Sequence, residues 1–340
     1  MGRGVWLDPQ RGAVTLREYA LTWIDSRTVK GRPLSPRTRS DYRSLLDLHI
    51  GPPLGKLPLS KITPERVRLW HAEVAQVGAA TCARCYRLLH AILATATNEG
   101  SYARNPCQIR GGGQSATPKR PLVVVGDVDA LAAAMPQHLR ALVLLGFWGA
   151  LRLGELLGLQ HGDVELDVAG NTGRVHVRRQ QQEIRGDAVV GPAKADSNRT
   201  VHLPAAAVVA LAQHIDSTGP ALPSARVFIR STGEQLRAWD VHRYWNRARI
   251  AAGLPGLHLH DLRHGGLTLA TQSGASLAEV MRRAGHASSR AALIYQHAAD
   301  DRDAYVAAQM ATVAGTARKS RARSGHAGVV DLPSRASRGS

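Results

Sequence analysis

The segment HLHDLRHGGLTLA, residues 258–270, sets three histidines and one arginine within seven positions and then turns apolar. On a helix, His260 and Arg263 lie three apart and project from one face, so together they can offer N–H donors to an anion. Three more stretches carry residues of the same kind. GALRLGELLGL places Arg152 where an apolar helix ends, and an arginine so close to a core is costly unless it meets an anion. Read alone, Arg152 could also form a structural ion pair with Glu155, three residues on. GPAKADSNRTVHLP places Lys194 in what reads as a β-turn between strands, and AGHASSRAALIYQHA supplies His286 and, nine residues later, Tyr295.

Two arginines, a lysine and two histidines without clustered carboxylates suit a phosphodiester undergoing displacement. Guanidinium forks and imidazole donors can meet the charge that develops on the phosphorane oxygens in place of metal ions. Tyrosine is then the natural nucleophile, and the intermediate is a covalent phosphotyrosine. The chain has no set of carboxylates or histidines like those of metal-dependent nucleases and transposases, so neither a metal nor another cofactor is expected.

Composition points the same way. The 340 residues hold 44 Lys and Arg against 26 Asp and Glu, a net charge of +18, which calls for a polyanionic partner such as nucleic acid. The segment after Ala311 has six Lys or Arg and one Asp, so it accounts for only five of the eighteen charges. At 44% hydrophobic, the chain can bury a core and fill two domains. The N-terminus shows no apolar signal region, and the longest apolar run, Ala141–Leu151, is too short to span a bilayer. Three cysteines suit a reducing, cytoplasmic setting. Cys82-x-x-Cys85 with His90 and Cys107 could suggest zinc. However, Cys82, Cys85, Leu88, Leu89 and Ile92 follow helical spacing, which favours a packed core.

The elements that must position these residues divide into two groups. Thr15-x-x-Glu18 is a capping box that opens a helix bearing Leu16, Tyr19, Trp23 and Ile24. Ser35-Pro36 opens a second, with Tyr42, Leu45, Leu46 and Ile50, and Thr63-Pro64 a third running to Val77. A fourth helix spans about Ala80 to Asn98 and stops at Gly100. Arg37, Arg39, Arg43, Arg84 and Arg87 fall on the polar faces of these helices and are candidate phosphate contacts. Residues 105–121 form a Gly/Pro/Ser-rich linker. Beyond it come a buried helix at Leu139–Leu151, short strands at Arg174–Arg178, Thr200–Leu203 and Val227–Ile229, then helices, one capped by Ser276-x-x-Glu279. Ser288 or Ser289 can start the last short helix. The expected domains are a remnant segment 1–12, a helical DNA-binding domain 13–104, the linker 105–121, a catalytic domain 122–310 and a basic disordered tail 311–340.

In order and spacing, the sequence resembles the tyrosine recombinases, the phage-integrase family that includes lambda-type integrases and Xer proteins. The likeness runs from about residue 13 to 300. It covers an A-L-R-x-G-E box at Ala150–Glu155, a hairpin lysine at Lys194, an H-D-L-R-H box at His260–His264, a G-H at Gly285–His286 and a Y-x-H at Tyr295–His297. The resemblance implies a mainly α fold with a small antiparallel β-sheet: a helical, SAM-like core-binding domain followed by an α+β catalytic domain. It implies that Arg152 and Arg263 clamp the non-bridging oxygens of the scissile phosphate and that Lys194 protonates the leaving 5′ oxygen. His260 would assist proton transfer at the tyrosine, His286 would hydrogen-bond the phosphate, and Tyr295 would attack to leave a 3′-phosphotyrosine. Glu155, Asp261 and His264 would support these groups.

The implied partners are duplex DNA core sites, further copies of the chain in a tetramer on paired sites, and an accessory directionality or bending protein, in a cytoplasmic, nucleoid-associated setting. Departures are small: Ala284 stands where leucine is usual, and Ala195 where threonine is common. Many actinobacterial phage-type integrases carry a small three-stranded arm-binding domain before the WLDPQRG-VTL-EYA stretch. Here almost nothing precedes Trp6, so either the start lies upstream or that domain is lacking. A type IB topoisomerase shares the chemistry, but the separate helical domain and linker favour a clamp on paired sites. An inactive relative would have lost a reacting group, and a basic regulator would leave the ordered motifs unexplained.

Overall fold

The computed structural model describes residues 13–115, 121–193, 197–285 and 310. They group into two compact units. The first comprises the chain up to Pro121 together with Arg179–Pro192 and Gln235–Val241, and the second comprises the remainder.

In the first unit, α1 (Leu16–Ser26) begins at the expected capping box: the Thr15 hydroxyl accepts from Glu18 N at 3.3 Å, and the Glu18 carboxylate accepts from Thr15 N at 3.2 Å. A small ribbon, β1 (Thr28–Val29) and β2 (Arg32–Pro33), leads to α2 (Pro36–Leu45), capped by Ser35 and started by proline. Here the helical path widens into a π-type turn, Leu46–Gly55, which accommodates Pro52 and Pro53. Then come α3 (Pro64–Ala75), capped by Thr63, and α4 (Ala79–Asn98). Leu16, Ile24, Leu46, Ile50, Trp70, Leu89 and Ile92 form the shared core. Burying each such side chain contributes about 1.5–3 kcal/mol, more than a cap adds. Cys82, Cys85 and Cys107 are all buried in this unit, and burial raises the thiol pKa of each. For Cys82 and Cys85, core packing is the role their helical spacing announced.

The stretch read as a linker begins as a docked strap. Cys107 is buried, Ile109 N donates to Tyr86 Oη at 2.8 Å, and Arg87 Nη1 donates to Gly113 O at 2.7 Å. Within the Gly/Pro/Ser-rich stretch, Cys107 and Ile109 supply the apolar surface that packs against the core of the first unit.

The second unit opens with α5 (Val125–Ala134) and α6 (Gln137–Trp148). Helix α6 is buried nearly all round through Leu139, Leu142, Val143, Leu145 and Phe147. It is followed by α7 (Leu153–Gly158) and strands β3 (Val164–Asp167) and β4 (Thr172–Val177). Next in the chain, within the first unit, is the hairpin β5 (Arg179–Ile184) and β6 (Asp187–Pro192). Its two-residue turn has positive φ at both Arg185 and Gly186, the geometry that matches strand twist. Strand β7 (Arg199–Leu203) completes a three-stranded antiparallel sheet, order β3-β4-β7. Strands β6 and β7 flank Lys194 in the chain and pair with β5 and β4; the turn expected at Lys194 falls on residues 194–196. Residues 194–196 themselves lie outside the described residues.

Helices α8 (Ala205–Thr218), α9 (Ala238–Ala251), α10 (Leu259–Gln272) and α11 (Leu277–Ala284) follow. The expected strand at Val227–Ile229 is not formed. Arg226 bridges to Gln160, Ile229 makes a further isolated bridge, and Val227 N donates to Leu159 O at 3.0 Å. Val227 and Phe228 are spent on the core, with no partner ladder to extend. Helix α10 approaches α6 closely enough that a Cβ on Gly266 would lie 1.9 Å from Phe147 O, and one on Gly265 2.7 Å from Val123 O. The two glycines after His264 thus set the depth at which α10 is seated. No helix among the described residues is long and apolar enough to cross a membrane.

Candidate active site

Helix α6 stops at Gly149, where a side chain would strike Leu145 O and Leu151. Ala150 then turns into the left-handed region, φ 50°, a conformation that costs a non-glycine residue about 1–2 kcal/mol. The turn presents the Ala150 carbonyl to Arg263 Nη1 and delivers Arg152 to the start of α7.

Arg263 is only 2% exposed, although it is a guanidinium. Its Nη2 donates to Ala284 O, so one planar fork ties the α6–α7 turn to the end of α11. Arg152 reaches the next carbonyl along: its Nη2 donates to Gly285 O at 3.2 Å and its Nη1 to Glu155 Oε1 at 2.7 Å. Just over a quarter of the Arg152 side chain, 28%, stays open to solvent. The two arginines named from sequence therefore hold consecutive carbonyls, immediately before His286 in the chain.

Glu155 is buried and accepts at both oxygens. Besides Arg152, the Arg199 fork donates from Nη1 to Oε1 at 3.0 Å and from Nη2 to Oε2 at 2.8 Å, and the Arg152 amide donates to Oε2 at 2.8 Å. Burial alone would raise the carboxyl pKa. The hydrogen bonds and charge of Arg199, with those of Arg152, outweigh it and hold the pKa at about 2. At neutral pH Glu155 is therefore an anion, held against Arg152.

Asp261, 1% exposed, accepts from His258 N at 2.8 Å and so caps α10 at the turn that bears His260 and Arg263. The His260 and His264 rings meet edge to face, 4.8 Å apart. Desolvation of the ring, then the positive charge of His264, Arg263 and Arg152, push the His260 pKa down to about 4, against a smaller upward pull from Asp261. At neutral pH this imidazole is uncharged and can accept a proton.

Arg152, Glu155, His260, Asp261, Arg263 and His264 are thus brought together in the second unit. Lys194, His286 and Tyr295 lie outside the described residues, as do Ser288 and Ser289. The sequence reading missed Arg199. Its signal was the alternation R-T-V-H-L, which puts an arginine on the same strand face as the buried Val201 and Leu203. Of the five candidate phosphate-contact arginines in the first unit, Arg37 pairs with Asp41 at 3.2 Å, and Arg43 meets Asp25 at 2.6 Å with Arg39 at 4.0 Å. Arg84 and Arg87 lie on the exposed side of α4.

The chain matches the phage integrase family over residues 126–302, and the N-terminal SAM-like domain of phage integrases over residues 15–74. A prophage phiRv2 integrase of Mycobacterium tuberculosis is 36% identical over 303 residues, which span 87% of this chain and 78% of the relative. The chain belongs to the phage integrase family. The fold agrees: the Tn1549 transposon integrase, solved with a circular intermediate DNA, gives a TM-score of 0.70 at 17% identity, covering 83% of this chain and 94% of that one. A lambda integrase tetramer bound to a Holliday junction gives 0.59 at 21%, covering 83% and 77%. The mainly helical architecture with small antiparallel sheets is that of the family, as the five motifs implied. As a family member, the chain is a site-specific tyrosine recombinase of the integrase type.

Proposed function

We propose that this recombinase cuts and rejoins duplex DNA at attachment core sites with Tyr295 as nucleophile, through a 3′-phosphotyrosine ester. Arg152 and Arg263 grip the non-bridging oxygens, Lys194 protonates the departing 5′ oxygen, His260 takes the tyrosine proton and His286 donates to the phosphate. The observation that carries this reading is the pair of arginines fixed on the consecutive carbonyls of Ala284 and Gly285, next to His286 and beside an uncharged His260. Such fixed cations meet the charge of a phosphorane without reorganising, so the reaction needs neither metal nor ATP. The ester conserves the energy of the broken bond.

Residues 13–104 bind the core site and 122–310 carry the chemistry, with Arg37, Arg39, Arg43, Arg84 and Arg87 on phosphates. Tetramer assembly on paired sites, an accessory directionality or bending protein, and a place at the nucleoid complete the reading. A nicked suicide duplex can be built on the junction between the element that encodes this chain and its host chromosome. On it, the unaltered chain should form a covalent complex in excess EDTA. Tyr305→Phe should still form the complex and Tyr295→Phe should not; trapping by Tyr295→Phe would refute the assignment.

A further inference from the structure

We propose that Arg199 is a positioning residue for strand cleavage: from β7 it neutralises and orients Glu155, and so leaves Arg152 with its full charge and a fixed direction toward the phosphate. This rests on the reading of Arg152 as a phosphate clamp.

Arg199 is nearly sealed, its side chain 3% exposed, and it is spent on three places at once. Its Nη1 and Nη2 fork onto the two oxygens of Glu155 at 3.0 and 2.8 Å, its Nε donates to Arg283 O at 2.8 Å, and Nη1 also donates to Ser197 O at 3.1 Å. The parallel fork fixes the plane of the carboxylate, which a single hydrogen bond would leave free to rotate. That plane decides where Glu155 Oε1 holds Arg152 Nη1.

Charge gives a second reason. A buried carboxylate paired with Arg152 alone would cancel it, and the pair would offer a phosphate no net attraction. With Arg199 included, two guanidiniums face one carboxylate, and a unit of positive charge remains on the partner that is open to solvent, Arg152. Position gives a third. A Cβ on Gly285 would lie 2.9 Å from Arg199 Nη1, so the guanidinium is packed beneath the residue that precedes His286. Arg199 also follows Lys194 by five residues. Arg283 anchors the same corner, donating to His202 O at 3.2 Å and to Trp148 O, but it does not touch Glu155.

The test compares single-turnover cleavage of the junction suicide duplex with that of the same duplex bearing a neutral methylphosphonate at the scissile position. Removing the phosphate charge removes the need for the clamp. Arg199→Lys keeps the charge without the fork, and Arg199→Gln keeps neither. Each is checked by thermal midpoint and DNA affinity, and a variant that folds and binds carries the comparison. On the phosphodiester, each folded Arg199 variant should cleave about 100-fold more slowly, the scale of removing one oxyanion donor. On the methylphosphonate, its deficit and that of Arg152→Ala should both shrink below about tenfold. In a Glu155→Gln background, Arg199→Lys should add less than about threefold, because two changes on one route do not add. A methylphosphonate deficit that persists for Arg199 but vanishes for Arg152 overturns the positioning role and leaves the clamp standing. A deficit that persists for Arg152→Ala overturns the clamp, and the inference with it. Full additivity with Glu155→Gln also overturns it.

Discussion

Two sets of arginines in this chain teach opposite lessons. On α2, Arg37, Arg39 and Arg43 keep 50%, 36% and 30% of their side chains in water and pair with Asp41 and Asp25. Such pairs contribute about 0–1 kcal/mol, so they can be exchanged for a phosphate at little cost. In the second unit, Arg199 and Arg263 are almost fully buried and spend their donors on carbonyls and on one buried carboxylate. There the charge is part of the framework, and its partners would be left unsatisfied without it. The same residue type serves as an exchangeable surface group in one unit and as a structural tie in the other.

The sharpest way to break this contrast is Arg263→Ala. Two buried carbonyls, Ala150 and Ala284, would lose a donor at about 1–3 kcal/mol each, and cleavage should fall about 1,000-fold or more. Urea unfolding and suicide-duplex trapping measure the two effects. A stability loss under about 0.5 kcal/mol would mean that the guanidinium is no tie.

Acid stability comes next. The unfolded Glu155 titrates near 4.5 and the folded one at about 2. A depressed carboxylate contributes stability above the unfolded value that is lost as pH falls from 4.5 toward 2. Glu155→Gln should flatten the stability profile across that window. Glu165→Gln, where the carboxylate and its partner Arg174 are about half exposed, should leave most of the slope in place. Equal effects would erase the distinction between buried and exposed pairs.

A smaller effect is expected from Arg39→Ala and Arg43→Ala. Each should change folding stability by less than about 0.5 kcal/mol. For each phosphate that is no longer neutralised, the salt slope of DNA binding should fall by about 0.9. Titration of binding against salt reads this directly, and an unchanged slope would remove these residues from the interface.

The smallest signal is the titration of His260. Its ring should change charge well below 6.5 in the folded chain, as followed by NMR of the free protein. Between 6.5 and about 4, the unfolded chain takes up a proton that the folded one refuses. Stability therefore falls as pH drops through 6.5 and levels off near 4. A folded midpoint at or above 6.5 would mean that the ring is not crowded by Arg152, Arg263 and His264.

The local elements were legible wherever the signal was local. The boxes at Thr15–Glu18 and Ser276–Glu279 and the Pro starts at Ser35 and Thr63 depend only on residues three or four apart, and each helix begins where they place it. Val227–Ile229 misled because a short apolar run serves a strand or a buried loop equally well, and only a partner ladder decides. The Gly/Pro/Ser composition of 105–121 says nothing of the packing of Cys107 and Ile109 against the core of the first unit, which only the fold brings about.

By itself, the sequence determined the residue types, order and spacing of the reacting groups, the family and the mainly helical class, because these follow from chemistry and periodicity along the chain. Tertiary structure alone decided what each guanidinium does. Arg152 does pair with Glu155, but it shares that carboxylate with Arg199, 44 residues on, which takes both of its oxygens. That arrangement exists only once β7, α7 and the end of α11 converge around one buried carboxylate.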